Sequence, residues 1–459
     1  MGHSGNIDDS ARVPVSVMAG FGVGSLGTGI FSSVPSVLLL YFMTDTLGIA
    51  AGLAAWAVFI PKFWDVITDP LMGMISDRTH TRWGRRRPYM FVGAILMSVS
   101  FVFLFNVPEF GSDRATFLYV MVIFALSATA FTVYSVPYIA MPAEMSTVPH
   151  ERTKIMSWRM GFMTLGILLG AGGAPFVVNA AGGGRDGYAV MSWAVGLFCA
   201  FAMLFSVLGT RRARFSTRTD HPFRIREQLA AAATNRPFAV LLIALIIQLA
   251  AVGVITASAP YYAEHILKAG ENTELYVSVL LGAYIGAAIP SMPFWAYLCG
   301  RIGKLRACYV AVSGFSFFCL TTAVAGEGYP LALICLQVAC IGICYGGTQV
   351  IPYSMLTDTL HLDAARSGQR REGVFTGVWT AGDKLGVALG GFVMATMLGL
   401  FGYLESAEEA VVQPASAVFG IRMAFSVVPA VTMALSLVAL RFYTLDETDL
   451  IESVDAAAG

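Results

Sequence analysis

Apolar runs of roughly 20 residues follow one another along the whole chain, parted by short polar turns. A helix needs about 20 such residues to cross a hydrocarbon core ~30 Å thick. The pattern predicts twelve membrane-spanning helices, at residues 17–42, 51–75, 90–105, 116–142, 156–178, 190–208, 238–263, 275–298, 307–325, 330–356, 374–400 and 417–440. The longest polar interruption, 211–237, divides them six and six. The expected organisation is a cytoplasmic N-terminal segment (1–15), a six-helix bundle (16–210), a cytoplasmic linker (211–237) with an amphipathic interfacial helix, a second six-helix bundle (238–443) and a cytoplasmic tail (444–459). The halves echo each other weakly. Pro70 is followed seven residues on by Asp77-Arg78, and Pro293 by Gly300-Arg301. Gly84-Arg85 is answered by Gly303-Lys304, and Val136-Pro137-Tyr138 by Ile351-Pro352-Tyr353. Two parallel repeats around a central cavity fit this order. The fold class is thus an all-α membrane protein of two pseudo-symmetric six-helix bundles.

Composition agrees. Of 459 residues 56% are hydrophobic and 13% charged, against about 25% charged in soluble chains. The polar opening M-G-H-S-G-N has no signal-peptide pattern, and Asn6 departs from the myristoylation pattern. The seven cysteines lack paired spacing and read as small buried hydrophobes. Lysine and arginine crowd one set of loops, and only Arg114, Arg185 and Lys268 fall on the other. The positive-inside rule then places both termini in the cytoplasm. Net charge is zero, so the basic loops are topology signals and no nucleic-acid partner is expected. No P-loop, Cys/His cluster or nucleophile–base set argues for an enzyme, and no cofactor is expected beyond a coupling ion.

The chemistry concentrates in K-F-W-D-V-I-T-D-P-L-M-G-M-I-S-D-R-T-H-T-R-W-G-R-R-R-P-Y, Lys62–Tyr89. A charge at the bilayer centre costs about 3 kcal/mol on insertion scales. Asp65 and Asp69 stand four apart and share one helix face. They need a cation, a proton or a basic partner, and a purely structural pair with Lys62 or another base is the alternative. Oxygen ligands suit hard cations such as Na⁺. Lys384 lies about ten residues into an apolar run and needs a carboxylate, either Asp65 and Asp69 or its neighbour Asp383. Thr132 offers a hydroxyl to a cation near Asp65, or to its own helix backbone. Arg159 either lines the cavity or joins the cytoplasmic charges. Trp379 either stacks on a substrate ring or packs between helices. Gly20, Gly22, Gly24, Gly27 and Gly29 suit close helix packing in the first span. Pro137 and Pro142 are expected to bend or end the fourth span. Tyr261, Tyr262, Glu264 and His265 read as an outer aromatic belt. At the cytoplasmic ends, Asp77, Arg78, Arg85, Arg86, Glu144 and Arg152 in one half, and Asp358, Arg370, Arg371 and Glu372 in the other, form either a conformational latch or a solvated charged face.

These features resemble the major facilitator superfamily, and more closely the glycoside–pentoside–hexuronide:cation symporters of the melibiose permease type. The resemblance runs from Gly20 to about Leu445. It rests on W-D-V-I-T-D-P-L-M-G (Trp64–Gly73), D-R-T-H-T-R-W-G-R-R-R-P (Asp77–Pro88), V-P-Y-I-A-M-P-A-E-M (Val136–Met145) and G-Q-R-R-E-G (Gly368–Gly373). It implies that Asp65 and Asp69 bind the coupling cation, Na⁺ or H⁺, with Thr68, Thr132 and Lys384 beside them. Lys62, Ser135, Tyr138, Arg159 and Trp379 are the substrate-binding candidates. In sugar binders of that family one acid comes from the first helix and one from the fourth; here Gly24 or Ser25 and Ser135 take their places. Carboxylates able to accept paired hydrogen bonds from sugar hydroxyls are thus missing. The expected function is cation-coupled symport of a glycoside, sugar or related solute across the cell inner membrane, by a monomer. The alternative is a proton-coupled exporter, or a carrier of a less polar substrate.

Overall fold

The computed structural model describes residues 13–79, 81–146, 149–212, 234–367, 372–405 and 411–443. Twelve of its helices are long and apolar enough to cross a membrane: α1 Val15–Leu39, α2 Ala51–Ser76, α3 Arg87–Phe105, α4 Asp113–Pro142, α5 Lys154–Ala180, α6 Gly184–Gly209, α7 Arg236–Ile266, α8 Gly270–Ile302, α9 Lys304–Val324, α10 Leu331–Leu360, α11 Phe375–Leu400 and α12 Ala415–Leu440. Each overlaps the predicted span of the same rank, and no strand occurs among the described residues. Most of the predicted linker helix lies outside the described residues.

Local chemistry accounts for several boundaries. Ser112 caps α4 by accepting from the Ala115 amide at 3.3 Å, and Asn235 caps α7 by accepting from Phe238 at 3.2 Å. Pro137 and Pro142 do not end α4, contrary to one expectation: its helix runs through both to Met145. Backbone groups freed by proline inside a bundle are re-satisfied by neighbours. Gly84 and Gly303 have φ of +89° and +84°, so the matched Gly-basic pairs of the two halves sit in the same backbone region. π-helical turns interrupt the regular helix at Pro35–Leu39, Phe42–Thr46, Leu169–Gly173 and Tyr262–Ile266.

By its contacts the chain divides into two compact units. Unit 1 takes the residues up to Pro35 and from Ile60 to His221; unit 2 takes Ser36–Phe59 and the residues from Pro222 onward. The sequence pattern placed 36–59 in the first bundle, whereas these residues pack with the second. Within unit 1, α1 packs on α5 and α6, α3 on α4 and α6. Within unit 2, α7 packs on α11 and α12, α9 on α10 and α12. The packing scheme repeats, as the sequence echoes led us to expect. Glycines set the closest approaches: a Cβ on Gly20 would lie 3.1 Å from the Gly209 Cα. Without a hydrophobic drive inside lipid, such close van der Waals contact holds helices together.

Candidate functional site

In unit 1 the acid pair of α2 sits on consecutive turns of one helix face. Asp65 is 1% exposed and Asp69 half-buried. The Thr132 hydroxyl on α4 donates to Asp69 Oδ1 at 2.6 Å. The contact joins Thr132 to the second acid of the pair, beside which the resemblance placed it. Thr68 donates to the carbonyls of Trp64 and Asp65, at 3.3 and 3.5 Å, which leaves its oxygen able to accept or ligate. Trp64 fixes the outer side of this turn by donating through Nε1 to Thr129 at 3.1 Å. Lys62 carries its ammonium 5.5 Å from the centre of the Phe124 ring, a cation–π contact. The site is therefore two carboxylates and two hydroxyls at membrane depth, all hard oxygen donors.

The substrate candidates divide. Tyr138 is fully buried; its hydroxyl donates to the Phe21 carbonyl at 2.7 Å and meets Ser25 Oγ at 2.7 Å. Its ring stacks on Phe21 at 4.4 Å, and the Arg159 guanidinium lies 5.8 Å from the ring centre. Arg159 thus faces α4, and Tyr138 ties α4 to α1. Ser25, at a position where the resemblance expects an acid, is the serine in that tie. Ser135 is 5% exposed. In unit 2, Trp379 is 2% exposed and enclosed by Tyr353 and Phe238, with ring centres 5.5 and 6.4 Å away. It packs within its own unit, so stacking on a substrate ring is not the role its surroundings suggest. Lys384 and Asp383 lie half-buried on α11 of unit 2.

The charges at these helix ends form compact pairs. Arg85 and Arg86 both donate through Nε to Glu144 Oε1, at 2.9 and 2.8 Å, and Arg86 reaches Ser76 Oγ at 2.5 Å. Arg86 and Glu144 are buried. Arg87 donates to the Thr210 carbonyl at the end of α6. Unit 2 repeats the device: Lys304 grips both oxygens of Asp358, at 2.8 and 2.7 Å. Lys304 was missed as a site residue, although its match to Arg85 in the repeat signalled it. Arg78 is exposed. Arg370 and Arg371 lie outside the described residues, as do the side chains of Asp77, Arg152 and Glu372. Sequence reasoning also missed Asp45, Thr44 and Tyr403, which gather around Glu264 and His265. The signal available was a carboxylate just beyond an apolar run, which reads as an ordinary loop acid.

The chain is 26% identical over 430 residues to the putative glycoside/cation symporter YagG of Escherichia coli K12, covering 93% of this chain and 91% of that one. The inner membrane symporter YicJ of the same organism is 28% identical over 447 residues, with 94% and 92% covered. A putative 2,3-dihydroxypropane-1-sulfonate exporter of Salmonella typhimurium is 27% identical over 469 residues, with 97% and 96% covered. Among solved structures, the fold matches an inward-facing bacterial homolog of the human lysosomal transporter Spinster with TM-score 0.71 at 12% identity, over 96% of this chain and 98% of that one. It matches a D-xylose-proton symporter with TM-score 0.66 at 14% identity, over 94% and 98%. These relatives and neighbours are transporters, and the chain is a transporter rather than an enzyme. Residues 20–447 match the family described as MFS/sugar transport protein, and the chain belongs to that family.

Proposed function

We propose that the protein is a cation-coupled symporter that moves a glycoside, sugar or related small organic solute by alternating access, as a monomer in the cell inner membrane with both termini in the cytoplasm. The observation that carries the coupling is the acid pair: buried Asp65, with Asp69 one turn on and held by Thr132 at 2.6 Å. A coupling cation, Na⁺ or H⁺, offsets one of the two carboxylate charges, which are costly at this depth. Asp65, Asp69, Thr68 and Thr132 supply its oxygen donors. Substrate and cation then raise each other's affinity by one common factor, as linkage requires.

The test is equilibrium binding of Na⁺ to the purified protein by calorimetry at mildly alkaline pH. Saturable binding that disappears in Asp65→Cys and in Asp69→Cys is the expected result. Absence of Na⁺ binding, with proton uptake by the pair in its place, would move the reading to H⁺ coupling. A second reading, a proton-coupled exporter, is favoured by the resemblance to the sulfonate exporter and by serines where sugar-binding acids are expected. Proteoliposomes loaded on one side separate the two. Solute accumulation down an imposed inward cation gradient supports symport; expulsion of solute against its own gradient, driven by protons moving the other way, supports export.

A further inference from the structure

Helices α1 and α7 occupy the same place in the two halves, and both end in a π-helical turn, Phe42–Thr46 after α1 and Tyr262–Ile266 in α7. Each turn is closed in the same way, Leu47 to the Phe42 carbonyl at 3.0 Å and Leu267 to the Tyr262 carbonyl at 3.1 Å. Single π turns often mark functional positions because they re-aim side chains. Here they aim carboxylates at each other inside unit 2. Tyr41 donates to Glu264 Oε2 at 2.6 Å. Tyr403, just after α11, donates to Asp45 Oδ1, and its oxygen lies 2.9 Å from His265 Nε2. Since the Tyr403 hydrogen goes to Asp45, His265 is the donor in that contact. Thr44 lies 2.5 Å from Asp45 Oδ2 and 2.6 Å from the Tyr261 hydroxyl. Glu405 caps α2 by accepting from the Ala51 amide at 2.7 Å. Every one of these side-chain bonds except the Thr44–Asp45 and His265–Tyr403 contacts joins residues 36–59 to the C-terminal half.

The charges in the cluster do not cancel. The charged groups acting on Asp45 are Glu264 and Glu405, both negative, and the titratable groups facing it are His265, Tyr261 and Tyr403. Lys268, two residues past the end of α7, is turned to Glu327 instead. We propose that Asp45, braced by Thr44 and Tyr403, is a protonation site whose proton latches the end of the α1–α2 hairpin onto α7 and the α11–α12 turn, and that loss of this proton releases the hairpin. The proton sits on Oδ2 and is donated to Thr44; the Thr44 hydrogen turns back to the Leu40 carbonyl, 3.2 Å away. Oδ1 goes on accepting from Tyr403. Removing the proton leaves Asp45 charged beside Glu264 and Glu405, and their repulsion falls on the hydrogen bonds that hold the hairpin. Burial, then the Glu264 charge, hold the Asp45 carboxyl well above its ordinary range. A raised carboxyl favours the latched state below the ordinary carboxylate pKa, and that advantage is lost as pH rises through the raised value. This inference rests on the transport reading only in giving the latch a purpose.

Hydrogen exchange on the intact purified protein, in chelator-containing buffer and corrected for intrinsic rates, tests it. Amide protection of residues 42–54 is expected to fall by up to about tenfold per pH unit between acidic and mildly alkaline buffer. Asp45→Asn keeps an acceptor for Tyr403 and a donor for Thr44, and should hold the acidic level of protection throughout. His265→Gln should leave the fall in place. Constant protection in the wild type overturns the proposal, as does a fall that survives Asp45→Asn or vanishes in His265→Gln. None of these outcomes depends on Na⁺ binding at Asp65 and Asp69, so the two readings fail separately.

Discussion

At the scale of single residues, three contacts carry most of the consequence. Thr132 holds Asp69, so Thr132→Val should weaken cation binding roughly tenfold, about 1.4 kcal/mol, with the helix otherwise intact. Calorimetric titration of the variant checks this; wild-type affinity would show the hydroxyl to be incidental. Glu144 receives two arginines at 2.9 and 2.8 Å in a buried setting. Glu144→Gln leaves two cations facing a neutral amide and should cost ~3–5 kcal/mol, read as a lower melting temperature in detergent. Glu144→Asp should recover part of the loss. Asp65 and Asp69 were legible in the sequence because charge at membrane depth is rare and costly. Thr132 was legible only as a hydroxyl of undetermined direction, since a threonine on a helix has its own i−4 carbonyl as a rival acceptor. Asp45 was not legible at all, because its significance is the company of Glu264 and Tyr403, each hundreds of residues away in the chain.

At the scale of elements, hydropathy located all twelve helices, since each must satisfy its backbone internally and present an apolar surface to lipid. Their ends were less legible. α4 continues through two prolines to Met145, and the π turns at Phe42–Thr46 and Tyr262–Ile266 leave no mark in an apolar run. Contacts between elements are closest where glycine permits them. A Cβ on Gly342 would lie 2.0 Å from the Tyr284 carbonyl oxygen, so α8 and α10 meet backbone to backbone there. Gly342→Ala should therefore separate these helices and destabilise the fold by about 1–3 kcal/mol, the usual cost of overpacking. A thermal-unfolding series that also includes Gly282→Ala, where nothing lies within 4 Å, isolates the effect. Equal melting temperatures for the two variants would show that the α8–α10 contact yields without strain.

At the scale of the whole molecule, the repeat is more than a sequence echo. Gly84 and Gly303 share a backbone conformation, Arg85 and Lys304 each grip an acid at the end of the fourth helix of their half, and α1 and α7 close with the same π turn. Such pairs let one half be read from the other, and the Lys304–Asp358 bridge is the instance sequence reasoning passed over. The pH dependence argued for the latch belongs to this scale as well, because it joins the α1–α2 hairpin to helices from the far end of the chain.

The amino-acid sequence by itself determined the membrane class, the number of helices, the two-half architecture and the buried acid pair. All four follow from one-dimensional quantities: the length of apolar runs, their order, and the cost of a charge inside one. Tertiary structure alone decided which hydroxyl holds Asp69, that Tyr138 and Ser25 tie helices together, that Trp379 is enclosed by Phe238 and Tyr353, and that residues 36–59 pack with the second half. These depend on directions and distances between segments remote in sequence, and hydropathy, which is nearly uniform along a membrane helix, carries no record of them.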